Sequence, residues 1–162
     1  MKTTIGTKEA ALEYAQRGWA VMPLQGKKKE PHFGLIKNAY LGATTDQALI
    51  EFWFSVDPTA NIGIACSTSN LVVFDVDFRN GGKILKQFGE TYTVETGDGL
   101  HYYYKASSTL NFKGLLQTGI DIKHKGYVAA APSIHPNGKI YTVINDVEPV
   151  MINQQLLEMG AR

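Results

Sequence analysis

The sequence predicts a mixed α+β fold, and three observations lead there. Apolar runs of strand length recur along the chain, headed by LVVFDVD over residues 71–77. Segments with helical spacing of apolar residues fall near both ends and between the first strands. Tight-turn signals, Gly97-Asp98-Gly99 and Asn137-Gly138, separate the short strands of the second half. With 162 residues, 44% of them hydrophobic, the chain can bury a sizeable core, and one domain over residues 1–162 is expected. No internal repeat, low-complexity tract or linker interrupts it.

In chain order, residues 7–17 form a helix, with Leu12 and Ala15 on one face, Ala11 beside them and Gly18 as the stop. Residues 19–24 form a strand that Pro23 assigns to a sheet edge or ends. A long polar loop over residues 25–42 carries Lys27, Lys28, Lys29 and Lys37. Thr45 then caps a second helix, whose stripe of Ala48, Leu49, Phe52 and Trp53 ends before Pro58. Strands at 61–66 and 71–77 are joined by the turn residues 67–70, and a short helix runs from Asn80 to Phe88. The rest is mostly sheet: strands at 91–96 and 101–104 around the glycine turn, then 119–123, 126–131 and 140–144, before a closing helix at about 150–159.

Composition removes several function classes. Sixteen basic against 15 acidic residues leave no global field for a polyanion, so such a partner must be met by a local basic lining. Cys66 is the only cysteine, which excludes an internal disulfide and a multi-cysteine zinc site. The N-terminus lacks a signal-peptide core and no stretch is long and apolar enough to span a bilayer, so a soluble, cytoplasmic protein without membrane association is expected.

Strand alternation puts Asp75 and Asp77 on one face of the 71–77 strand, with Val76 turned the other way. Paired like charges at a strand end call for neutralisation. Hard divalent cations supply it through carboxylate oxygens, while capping of the strand beside solvent is the simpler alternative. In GIDIK over residues 119–123, Asp121 and Lys123 share the face opposite two isoleucines. Three carboxylates from two strands can hold two ions that clamp both oxygens of a phosphoryl displacement, and Lys123 can meet a phosphate; an ordinary exposed Asp/Lys pair fits the same residues. His101 starts a strand just after the glycine-rich turn, where backbone approaches a ligand closely. It suits donation to a triphosphate oxygen or, equally, a bond to a sheet carbonyl. Ser133 and His135 offer phosphate contacts or plain turn bonds, and the lysines from Lys27 to Lys29 are either a solvated loop or a polyanion contact.

These blocks in order resemble the bifunctional primase–polymerase (prim-pol) domain of the archaeo-eukaryotic primase superfamily. The resemblance covers about residues 10–141 and includes ALEYA with Gly18-Trp19, ANIGI over 60–64, the LVVFDVD strand with Gly81-Gly82, His101-Tyr102-Tyr103, GIDIK, and APSIH over 131–135. It implies a primase catalytic core, with an RNA-recognition-motif-like sheet beside a smaller α/β subdomain around a cleft. By the same resemblance, Asp75, Asp77 and Asp121 hold two Mg²⁺ or Mn²⁺ ions, and His101 contacts the incoming triphosphate. Lys123 stands where the family usually has arginine, and Ser133 and His135 match a segment near the nucleotide; Lys27 is a further candidate for the triphosphate, and Lys27 to Lys29 with Lys37 are candidates for template contact. The implied activity is metal-dependent, template-directed nucleotidyl transfer on single-stranded DNA with ribo- or deoxynucleoside triphosphates, in a replication protein of plasmid, phage or mobile-element type. A helicase or helical template-binding domain is the expected partner region absent from this chain. Asp98, His124-Lys125 and Cys66-Ser67 depart from the family's glycine pattern. Two rival readings are a catalytically silent primase-fold module that binds single strands and a metal-dependent transferase acting on nucleotide sugars.

Overall fold

The computed structural model describes residues 5–162; residues 1–4, part of the segment read for a signal peptide, lie outside it. Over the described residues the fold is mixed α+β, with three α-helices and two sheets. The smaller sheet has the order β1-β2-β8, built from Val21–Leu24, Asn61–Ala65 and Tyr127–Ala130, all antiparallel. Helices α1 (Thr7–Gln16) and α2 (Gln47–Val56) pack against it. Gly18, at φ +85°, ends α1 as expected, since the left-handed region suits a residue without Cβ. The cap of α2 is Asp46 and not Thr45: its carboxylate accepts the Ala48 N–H at 3.1 Å. Pro23 lies on the edge strand β1, where its missing N–H breaks no ladder bond.

The larger sheet centres on β3 (Leu71–Asp77), flanked by β5 (Gly99–Lys105) and β7 (Ile120–Lys123). Outward on one side is β6 (Leu115–Gln117); on the other are β4 (Thr93–Glu95) and β9 (Thr142–Asn145). β10 (Val150–Met151) pairs in parallel with the far end of β5. The expected closing helix is therefore a short strand followed by α3 (Gln154–Gly160), where Asn153 caps by accepting the Leu156 N–H. Residues 80–88 form no α-helix but two short 3-10 helices, Phe78–Asn80 and Lys86–Phe88, because Gly81 at φ +86° turns the chain between them. β5 begins inside the glycine turn, two residues earlier than its sequence pattern suggests.

Two antiparallel partners cross together from one sheet to the other. β2 pairs with β8, β3 pairs with β7, and at the corner Cys66 N–H bonds Gly126 O while Ser67 N–H bonds His124 O. The core accordingly has two parts. Leu71 and Val73 of β3 face the smaller unit with Trp19, Tyr92 and Tyr103, whose rings meet at centroid distances of 4.9–5.8 Å. Val72, Phe74 and Val76 face away, onto Phe88, Tyr104 and Leu156.

The end of β3 is pinned at one close backbone crossing. Asp77 N–H bonds Gly119 O at 2.8 Å, and Gly82 N–H bonds Asp77 O at 2.8 Å. A Cβ on Gly119, which sits at φ +74°, would come within 2.1 Å of Gly82 N. We predict that Gly119→Ala destabilises the fold by roughly 2–3 kcal/mol in urea unfolding, the upper range for one substitution. A loss below about 0.5 kcal/mol would show that the crossing yields easily.

Candidate active site

The register of the larger sheet assembles the site. Asp75 lies opposite His101 on β5 and opposite Asp121 on β7, so three adjacent strands present three chemistry-bearing residues in one row. Asp77 is two positions further along the same face, opposite Gly99. This is the face that carries Leu71 and Val73. The acids emerge where the smaller unit stops covering it. A hollow forms there, lined by Asp75, Asp77, His101, Lys29, Arg79 and His135, with Thr96, Asp98 and Tyr141 completing it; its volume is about 40 Å³.

Each side chain is held differently. His101 is buried, with Nε2 at 3.4 Å from Asp75 Oδ1, while its Nδ1 has no hydrogen-bond partner among the described residues. Burial works against the charge on Asp75, yet His101 and the nearby Lys123 and Lys29 outweigh it and hold the carboxyl below its ordinary value. Asp77 caps the following turn: Oδ1 accepts the Arg79 N–H at 3.0 Å and Oδ2 accepts from Asn80 Nδ2 at 2.7 Å. Asp121 is half-exposed, with Lys123 Nζ 4.0 Å from its Oδ2.

Among the described residues, no three His, Cys, Asp or Glu groups already stand close enough together to hold one ion. The donor chemistry nonetheless fits a hard divalent cation, because Asp75, Asp77 and Asp121 offer carboxylate oxygens on one face of the sheet. Directly opposed residues on neighbouring strands have Cβ atoms about 4.5–5.5 Å apart, close enough for Asp75 and Asp121 to share an ion if their side chains rotate toward each other. Both oxygens of Asp77 are engaged in its turn, so it would have to give up one of those bonds to join such an ion.

The other sequence-chosen residues divide. His135 reaches the hollow, carried by a segment clamped to β2: Ile134 N–H bonds Asn61 Oδ1, and Asn61 Nδ2 donates to Ile134 O. Ser133 belongs to that clamp. It is fully buried, and its Oγ accepts the Ile62 N–H at 2.8 Å, away from the hollow lining. His135 Nδ1 accepts the Asn137 N–H, which puts the ring proton of the neutral form on Nε2. Gly97 makes room for this ring, since a Cβ there would fall 2.2 Å from it. Of the lysine run, Lys29 lines the hollow; Lys27 is exposed on its loop outside that lining, and Lys37 is likewise exposed.

Arg79 and Tyr141 escaped the sequence reading. Arg79 follows Asp77 closely enough to have been suspected, and its Nε lies 3.8 Å from Asp98 Oδ2, which gives the departure at Asp98 a local role. Tyr141 carried no signal. It is a buried ring beside both histidines, at 6.0 Å from His101 and 5.8 Å from His135. Cys66 is fully buried, its thiol pushed up to about 12 by that burial, and so is inert. No helix among the described residues is long and apolar enough to cross a membrane.

Comparison with known proteins gives one family. The family described as the N-terminal domain of bifunctional DNA primase/polymerases matches residues 11–155, nearly the whole chain. No curated protein matches.

Burial lowers the basicity of His124 and His135, so both imidazoles should titrate below the ordinary 6.5 in a proton NMR series. A group depressed in the folded state stabilises it above the unfolded value and loses that contribution as pH falls. Stability should therefore decline on acidification from pH 7 through the interval just below 6.5. Stability that rises over this interval would contradict the assignment.

Proposed function

The chain belongs to the bifunctional DNA primase/polymerase (Prim-Pol) family, and from that premise we propose that its acid row performs metal-dependent, template-directed nucleotidyl transfer. The observation that carries the reading is the register of β3, which sets Asp75 between His101 and Asp121 with Asp77 on the same face. Asp75, Asp77 and Asp121 would hold the metal, Mg²⁺ or Mn²⁺. When bound, the metal supplies Lewis-acid activation of a 3′-hydroxyl and stabilisation of the leaving pyrophosphate, with two ions serving both oxygens.

The protein's own groups supply orientation and charge. Asp75 stays ionised near neutral pH because the positive groups around it favour the carboxylate. His101, fixed by strand pairing on β5, faces the same carboxylate and can turn a ring N–H toward a phosphate oxygen. Lys29, Arg79 and His135 surround the hollow with donors suited to a triphosphate, and Lys123 adds a charge beside Asp121. Tyr141 closes the wall behind both histidines and excludes water there. A single-stranded DNA template and ribo- or deoxynucleoside triphosphates are the substrates in this reading. The resemblance further supports the chain as the catalytic part of a plasmid-, phage- or mobile-element-type replication protein that works with a helicase.

One observation favours a second reading. Asp77 has both oxygens engaged in its turn, and no three-ligand group is preassembled among the described residues. A silent primase-fold module that binds single-stranded nucleic acid would leave the acids in this state.

Incorporation of labelled nucleotides on a primed single-stranded template, with Mg²⁺ or Mn²⁺, separates the two. Asp75→Asn and Asp121→Asn should each lower incorporation by at least about a hundredfold, a loss typical of removing transition-state charge stabilisation, with the circular-dichroism spectrum unchanged. His101→Gln should raise the nucleotide KM more than it lowers kcat. Template binding by wild type without any incorporation would favour the silent module.

A further inference from the structure

The hollow accounts for one anionic substrate, but nucleotidyl transfer joins two. On the far side of Asp121 from the hollow lies a shallow groove of about 1070 Å³, lined by Lys113, Lys123, Lys125 and Arg162 with Phe112 and Leu115. Asp121 is its only acidic lining residue, so a chain of net charge +1 concentrates positive charge here. The groove follows the outer strands. Leu115 on β6 is paired with Asp121, and the pairing continues as Ile122 N–H bonds Gly114 O.

Three features suit it to a polynucleotide backbone. First, Lys113 and Lys125 are anchored by uncharged oxygens, Met159 O and Asn111 Oδ1, so their charges are positioned without being neutralised. Second, Leu115 is 58% exposed and Phe112 packs edge-on against His124, which gives an apolar surface between the cations for sugar and base. Third, Gly114 and Gly126 leave the floor bare: a Cβ at either would meet nothing within 4 Å, and neither has the positive φ that requires glycine. The volume lies at the upper end of ligand clefts and the groove is open along its length, whereas the hollow has room for little beyond ions and phosphate oxygens.

We propose that this groove holds the phosphodiester backbone of the strand whose 3′ end is extended, delivering that end to Asp121 while the triphosphate enters from the hollow. The assignment rests on the nucleotidyl-transfer reading and adds the place of the second substrate. Lys113 and Lys125 contact phosphates and Lys123 stands at the junction with the acid row.

The test is fluorescence anisotropy with a labelled primer–template bearing a recessed 3′ end, titrated with salt and without nucleotide. Wild type is compared with Lys113→Gln/Lys125→Gln, whose side chains lose the charge but keep an N–H donor, and with Gly114→Trp, which fills the groove. The double variant should reduce the magnitude of the log–log salt slope by roughly 1.8, two duplex contacts at about 0.9 each. Gly114→Trp should weaken binding about tenfold or more, the loss of one to two phosphate or stacking contacts, with thermal stability retained. Methylphosphonate linkages near the primer 3′ end should weaken wild type and leave the double variant little further affected. Unchanged slope and affinity in both variants overturns the proposal, as does sensitivity confined to methylphosphonates in the template strand. Incorporation is measured separately: active wild type with groove variants that bind normally removes the groove alone, while failed incorporation removes the reading beneath it.

Discussion

The register of β3 is the constraint on which the rest of the structure depends. Strand side chains alternate with a period of two, so a slip by one residue would drive Asp75 and Asp77 into the core beside Phe88 and Tyr104 and turn Val72, Phe74 and Val76 out of it. Each of those apolar side chains contributes about 1.5–3 kcal/mol when buried, which fixes the pairing with β5 and β7 firmly. That surplus lets the sheet tolerate an otherwise unfavourable pair, Asp75 and Asp121 directly opposed on neighbouring strands. Core burial on one face thus holds like charges together on the other.

The second requirement is that the acid-bearing face be covered over part of its length only. The corner at Cys66–Ser67 and His124–Gly126 moves two paired strands from one sheet to the other. It brings the smaller unit down on Val73 and Tyr103 and stops short of Asp75 and His101. Loops of that unit then reach over the open stretch, one with Lys29 and one with His135, so the hollow takes its acids from one sheet and two of its hydrogen-bond donors from the other's loops. Placement of His135 depends on the clamp of Asn61 and Ser133 on β2, and on the space left at Gly97.

Much of this was legible in the sequence where the physics is local. The alternation in LVVFDVD and GIDIK put the acids on shared faces, and the Gly97-Asp98-Gly99 turn placed His101 near the start of a strand that in fact begins two residues earlier, at Gly99. Their convergence is set by pairing between segments distant in the chain, which no local pattern reports; the order of the blocks and the family resemblance supplied it. What stayed hidden was decided by tertiary context. Ser133 looks like a ligand but its hydroxyl satisfies Ile62 in the core. Residues 80–88 read as a helix because the pattern does not reveal that Gly81 adopts a left-handed turn. Tyr141 and β6 have no periodic signal, since each gains its place by packing at a sheet edge.

In the proposed function, pairing across β7, β3 and β5 makes one metal-binding row. Titrating Mn²⁺ into the protein with bound deoxynucleoside triphosphate, and following paramagnetic broadening of backbone amides, tests this directly. Broadening centred on Asp75, Gly99, His101 and Asp121, and abolished in Asp75→Asn/Asp121→Asn, is the predicted result. Broadening centred elsewhere, or unchanged by those substitutions, would contradict it.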